Sequence, residues 1–216
     1  IDTELFTIKE HLFFLTAPLH KSHWGQVKWL FSCSHWLSDI KFQIVTFENT
    51  PENAREILAN LGQNIDVIAG IFDETMLELR KCNGVELSRE PFCVAVALHH
   101  RLAGKKVLTP EDLKGERLLM MRKGWSCYVD ALRAELTEKY PEITIVDFDF
   151  YNVDIFNRCE NSNDMLLAIK SWESVHPLMK ILPVEWDYKM PYGLLYAKDP
   201  SEKVEKLVRT VEGITK

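Results

Sequence analysis

Arg89-Glu90-Pro91-Phe92-Cys93-Val94-Ala95-Val96-Ala97-Leu98-His99-His100-Arg101-Leu102-Ala103, then Gly104-Lys105-Lys106, then Val107-Leu108-Thr109-Pro110-Glu111-Asp112-Leu113-Lys114-Gly115-Glu116, is the stretch on which the fold turns. Phe92–Leu98 is an unbroken apolar run of strand length, the pattern of a strand covered on both faces. Thr109 followed by Pro110 pairs a capping residue with a proline at the first helical position, where a missing N–H costs nothing. The stretch therefore predicts a buried strand, a polar turn and a short helix.

The same alternation continues on both sides. Upstream, Leu12–Thr16, Phe42–Phe47 and Ile65–Ile71 read as strands. A helix is expected after Ser22, and a second one opens at Thr50-Pro51, carries Ala54, Ile57, Leu58 and Leu61 on one face and stops at Gly62. Downstream, Arg117–Met121, Ile143–Phe150, Met165–Ile169 and Pro191–Ala197 are extended. Helices are expected from Ser126, over Val153–Cys159, and from Pro200-Ser201 with Val204, Leu207, Val208 and Val211. Strands alternating with helices predict an α/β fold with parallel sheets. Two such sets without a linker imply two lobes.

The 216 residues are 46% hydrophobic and 27% charged, which fits a globular chain, and no apolar run is long enough to span a membrane. The net charge of −6, with no basic block longer than Lys105-Lys106, argues against this chain gripping DNA or an anionic membrane by itself. Cys33, Cys82, Cys93, Cys127 and Cys159 show no CxxC spacing, as expected for thiols in a reducing, cytoplasmic setting. The start, Ile1-Asp2-Thr3-Glu4, has neither an initiator Met nor the pattern of a signal peptide, so the chain reads as a piece of a longer protein.

The phrase quoted above resembles the effector-binding domain of LysR-type transcriptional regulators. There a strand leads into a His-Pro-Leu-Ala turn, then into a helix of the form Leu/Val-Thr/Ser-x-Glu/Asp-Asp-Leu. Trp172–Pro177 and Trp186–Tyr196 resemble one branch of that family, and the order of elements fits over residues 11–215. The resemblance implies a two-lobed fold like that of type II periplasmic binding proteins, with mostly parallel sheets and two crossing strands near Arg89–Val94 and Lys189–Leu194. Lobe I would be 11–90 plus 191–216, and lobe II 91–190. The family's N-terminal winged helix-turn-helix would be absent from this chain, so DNA would be reached only through that missing domain. A small-molecule effector would bind between the lobes without a covalent step. The chain would form a homodimer or higher homo-oligomer, pairing through Ser22–His35, apolar on more than one face with Trp24, Trp29, Leu30, Phe31 and Trp36, and through Ser126–Tyr140. Two departures stand out: His100 replaces the proline of the turn, and a polar Cys159–Asp164 replaces a glycine-rich stretch.

Ligands of open parallel sheets bind beyond the carboxyl ends of the strands. That places Thr16, Ala17, Pro18, Thr50, Ile71, His99, Trp125, Ser126, Asn152 and Asp154 as ligand-binding candidates. Helix N-termini converging there favour a small anion, while Glu48 and Asp154 oppose one. The alternative is that Thr50, Ser126 and Asn152 only cap their own helices. Cys127, at a helix start near Arg122 and Lys123, could hold a reactive thiol, but a small buried hydrophobe is the expected reading. His20 and His23, like His99 and His100, lack a third metal ligand and read as surface or capping groups. No GxSxG, Walker or GxGxxG motif occurs, so no catalytic residue, metal or cofactor is expected. A free-standing solute-binding protein and an enzyme on the same fold are the rival readings. The first lacks a signal peptide and the second has only Cys127 to offer.

Overall fold

The computed structural model describes residues 11–16, 41–44, 50–173 and 175–215. The expected helix Ser22–His35, and Ala17, Pro18, His20, His23, Cys33, Glu48 and Asn49, lie outside them. The chain divides into two compact units, Ile1–Arg89 with Pro191–Lys216 (unit 1) and Glu90–Met190 (unit 2).

In unit 1, β1 (His11–Thr16) pairs in parallel with β2 (Lys41–Ile44) and with β3 (Val67–Ile71). β9 (Lys189–Ala197) pairs antiparallel with β3 and neighbours the first half of β4 (Cys82–Ala97). Period-two alternation divides β3 between two layers. Val67 and Ala69, with Tyr192, Leu194 and Val85, pack against Val204, Leu207, Val208 and Val211 of α5 (Glu202–Thr215), which recur at i, i+3, i+4, i+7. Ile68 faces the other way, toward Ile57 of α1 (Pro51–Ala59) and toward Phe72, Cys82 and Leu195. The α1 helix stops at Asn60, whose backbone N–H bonds the last turn, and Gly62 follows at φ +86° rather than ending the helix itself. α2 (Glu74–Arg80), capped by Asp73, was not expected from the sequence.

In unit 2 the second half of β4 lies between β8 (Met179–Pro183) and β7 (Met165–Ile169), antiparallel to both. β5 (Arg117–Met121) pairs in parallel with β7 and with β6 (Thr144–Phe148). The mostly parallel sheets are thus mixed, with β9 running against β3 and β4 against β7 and β8. Val94, Ala95, Val96, Leu118, Leu119, Met120, Leu166 and Leu167 are all buried, the two-sided cover that the apolar runs implied. That cover includes α3 (Cys127–Lys139), with Val129, Leu132 and Leu136 inward, and α4 (Val153–Glu160), with Ile155, Phe156 and Cys159 inward. Thr109 opens the 3-10 turn Pro110–Leu113 through a reciprocal capping box with Asp112.

Candidate ligand-binding site

β5, β6 and β7 run in register, so their carboxyl ends at Met121, Phe148 and Ile169 share one edge of the unit 2 sheet. The loop after β5 turns at Gly124, which sits at φ +85°, a conformation that favours glycine. Its geometry is held from below. Asp130 accepts the Gly124 N–H at 2.8 Å, and Arg133 donates to the Met121 carbonyl at 2.7 Å while pairing with Asp147 at 2.7 Å. The loop delivers a half-buried Trp125 and a fully buried Ser126 to the N-terminus of α3.

The three candidate caps behave differently. Thr50 accepts the Asn53 N–H at 3.2 Å, and Asn152 accepts the Ile155 N–H at 3.1 Å while its amide donates to Asp154 at 3.3 Å. Both side chains are used within their own helices. Ser126 occupies the capping position in extended conformation, yet its hydroxyl makes no capping bond and has no partner. The expectation that Ser126 caps through its side chain is corrected on this point. A buried hydroxyl left unpaired costs roughly 1–3 kcal/mol, and here it sits at the N-terminus of a 13-residue helix, beside its partial positive charge.

The loop that carries Trp125 meets the loop before α4 at Tyr151, the residue preceding Asn152. The Tyr151 ring meets Trp125 edge-on at 6.1 Å, Phe148 at 4.7 Å and Trp172 at 4.6 Å, and its hydroxyl donates to the Leu167 carbonyl at 2.7 Å. Burial pushes the Tyr151 phenol well above the ordinary tyrosine range, so it stays protonated as a donor. At the same edge, buried Glu90 accepts from the Ser171 hydroxyl at 2.8 Å and from its N–H at 3.3 Å. Sequence reasoning did not single out Tyr151, Glu90 or Ser171. The one signal was Tyr151's place directly before the cap Asn152.

His99 does not join this group. β4 runs antiparallel to β7, pairing Phe92 with Ile169, so the turn after β4 lies at the opposite edge of the sheet from Trp125. His99 is exposed there, while His100 is buried and accepts the Leu102 N–H through Nδ1 at 3.2 Å, with Nε2 3.5 Å from Glu116. In unit 1, Thr16 and Ile71 end the adjacent parallel strands β1 and β3, and Ile71 is half-buried. Thr50 caps the helix after β2.

Cys127 is exposed, not buried as expected, because it lies across α3 from the inward face of Val129, Leu132 and Leu136. Cys82, Cys93 and Cys159 are buried, and none of the four is disulfide-bonded. Burial pushes the Cys93 thiol up to about 11 and the Cys159 thiol up to about 12. Among these four, Cys127 is therefore expected to react first with a maleimide at neutral pH, with the others labelled only on unfolding. Peptide mapping after timed labelling checks this, and early labelling of Cys93 or Cys159 would contradict the packing. Among the described residues, no group of three or more His, Cys, Asp or Glu is placed to hold a metal ion, and no helix is long and apolar enough to cross a membrane.

Comparison with known families matches residues 43–213 to the LysR substrate binding domain. The chain belongs to this family. A search of the curated proteins finds no match to this LysR-type domain. Among solved structures it is similar to CbnR, a LysR family transcriptional regulator also solved full-length with its target DNA. The TM-score is 0.65 at 15% identity, covering 94% of this chain and 68% of that one. The effector binding domain of QuiR in complex with shikimate gives 0.61 at 15% identity, covering 90% of each chain. The BenM effector binding domain with benzoate gives 0.54 at 14% identity, covering 96% and 93%. These likenesses, with the family match, establish the α/β fold of type II periplasmic binding proteins for this LysR-type domain.

Proposed function

We propose that this LysR-type domain senses a small organic carboxylate and passes its occupancy to the DNA-binding domains of a full-length, dimeric, cytoplasmic regulator. The observation that carries the reading is the buried Ser126 hydroxyl at the N-terminus of α3, unpartnered while the caps of α1 and α4 are satisfied. A carboxylate oxygen would accept from that hydroxyl at the positively polarised end of the helix. Trp125 and Tyr151 offer the apolar wall for the rest of the molecule, since rigid rings give large contact area. Asn152 and Asp154 flank this wall. Shikimate and benzoate, named with QuiR and BenM, are both carboxylates, which supports the ligand class. The reading contains no chemical step, and no residue is assigned a catalytic role.

The test is a thermal-shift screen of small carboxylates, beginning with benzoate and shikimate, followed by calorimetry on wild type and Ser126→Ala. A ligand at 100 times its Kd stabilises by about 2.7 kcal/mol. Ser126→Ala is expected to weaken binding roughly ten- to hundred-fold, the loss of one hydrogen bond to a charged group at about 1.5–3 kcal/mol. Without ligand the same variant should be as stable as wild type or more stable, because no capping bond is lost and an unsatisfied hydroxyl is removed. Unchanged affinity in Ser126→Ala would remove the hydroxyl from the site.

A further inference from the structure

We propose that unit 2 carries a second binding site, for a small organic cation: a primary ammonium or guanidinium group on a short alkyl chain. The site is the recess beyond the carboxyl end of α3, about 540 Å3 in volume, within the range of small-molecule pockets. Four carboxylates line it, Glu111, Glu135, Glu185 and Asp187, and no Lys or Arg does. Three aromatic residues, Tyr140, Trp186 and Tyr188, line it as well, and Thr109 and Pro110 complete the wall. Rings with carboxylates around them are how proteins recognise an organic cation, through the negative face of the ring and the opposite charge beside it.

The rings are fixed in place. Trp186 donates its indole N–H to the Phe92 carbonyl at 2.9 Å, and the Tyr188 hydroxyl donates to Glu135. That bond holds the Glu135 carboxyl below the ordinary carboxylate range and pushes the Tyr188 phenol up to about 12, so the pair stays an anion beside a neutral donor at neutral pH. Two of the acids are ion-paired, Glu135 with Lys139 at 3.2 Å and Asp187 with Lys189 at 3.2 Å. Glu111 and Glu185 have no ion pair among the described residues. A cation already stacks on one of these rings: Lys114 Nζ lies 5.6 Å from the centre of Tyr140. α3 ends at Lys139 with Tyr140 as its cap, so the partial negative charge of the helix C-terminus adds to the same field. Ser126 stands at the other end of this helix, about 20 Å away at 1.5 Å per residue. The recess is thus separate from the carboxylate site and does not rest on it.

The experiment titrates the isotope-labelled 216-residue protein with butylguanidinium, butylammonium, butanol and butyrate, reading amide shifts by NMR. Saturable shifts confined to residues 109–111, 135–140 and 185–188 with one or both cations, and none with butanol or butyrate, are expected. The two cations tell a guanidinium site from an ammonium site. The double variant Glu111→Gln, Glu185→Gln keeps shape and volume, and should raise the Kd of the bound cation about five-fold or more while leaving the melting temperature within a few degrees. Added salt should weaken binding in wild type more than in the variant. The proposal falls if neither cation gives saturable shifts there, if butanol binds as well as the cations, or if the double variant binds the cation as tightly as wild type.

Discussion

Phe156→Ala is expected to lower the unfolding free energy of unit 2 by about 3–5 kcal/mol, the range for deleting a buried aromatic ring. Phe156 has no exposed surface and is the largest of the fully buried side chains in the described residues. It points inward from α4 beside Ile155 and Cys159, and its ring meets Trp172 at 6.2 Å with an interplanar angle of 70°. Trp172 in turn packs edge-on against Tyr151, and Tyr151 against Phe148 and Trp125. Alanine would leave a void at the base of this cluster that rigid neighbours fill only in part, so the cost exceeds the transfer free energy of the lost atoms. At about 2–4 °C per kcal/mol for a chain of this size, the melting temperature should fall by roughly 10 °C. Circular dichroism melts and urea titrations measure both quantities. A loss below about 1 kcal/mol would mean that the ring is not packed as described. Because the cluster ends at Trp125, tryptophan emission of the folded variant should also shift.

The parts of the fold that were legible in the sequence are those in which local chemistry alone decides the outcome. Thr50-Pro51 and Thr109-Pro110 open helical turns where they stand, and the bounds of β5 and β7 coincide with apolar runs closed by polar residues. The remainder depended on partners distant in sequence. α2 is a seven-residue helix with only Met76 buried, too short and polar to show a period. The first half of β4, with Asn83 and Gly84 and mostly half-buried positions, has weak strand propensity and is held by its neighbours in the sheet. β8 contains Lys180 and Pro183 and is recruited by β4, with the Lys180 ammonium reaching the carbonyls of Ala103 and Lys105. Strand direction is a further such property. Nothing within Phe92–Leu98 says that it will run against Met165–Ile169, and that reversal carries His99 away from the candidate site. Ser126 is intermediate: its place at a helix start follows from the sequence, whereas the unpaired state of its hydroxyl depends on how the Gly124 turn is held by Asp130 and Arg133.

Gly193→Ala should be as damaging in unit 1 as the loss of Phe156 is in unit 2, by the opposite mechanism. A Cβ at Gly193 would lie 1.9 Å from the Val85 carbonyl oxygen, 2.9 Å from its carbon and 3.1 Å from the Glu86 Cα. All three obstacles are backbone atoms of β4, so no rotamer change relieves them, and β9 or β4 must move. The strand that would move carries Tyr192 and Leu194 into the core under α5, so the shift would also loosen the packing of Val204, Leu207 and Val208. Overpacking typically costs about 1–3 kcal/mol, and a clash with backbone belongs at or above the top of that range. The register supplies its own control, because Gly193 pairs directly with Gly70 of β3, where a Cβ would meet nothing within 4 Å. Gly70→Ala should be neutral or stabilising by up to about 1 kcal/mol, since alanine loses less backbone freedom on folding. Two substitutions of the same chemistry on one cross-strand pair are therefore expected to move the melting temperature in different directions, Gly193→Ala down by roughly 6–12 °C and Gly70→Ala level or slightly up. Equal melting temperatures for the two variants would contradict the close approach of β9 to β4 at Val85.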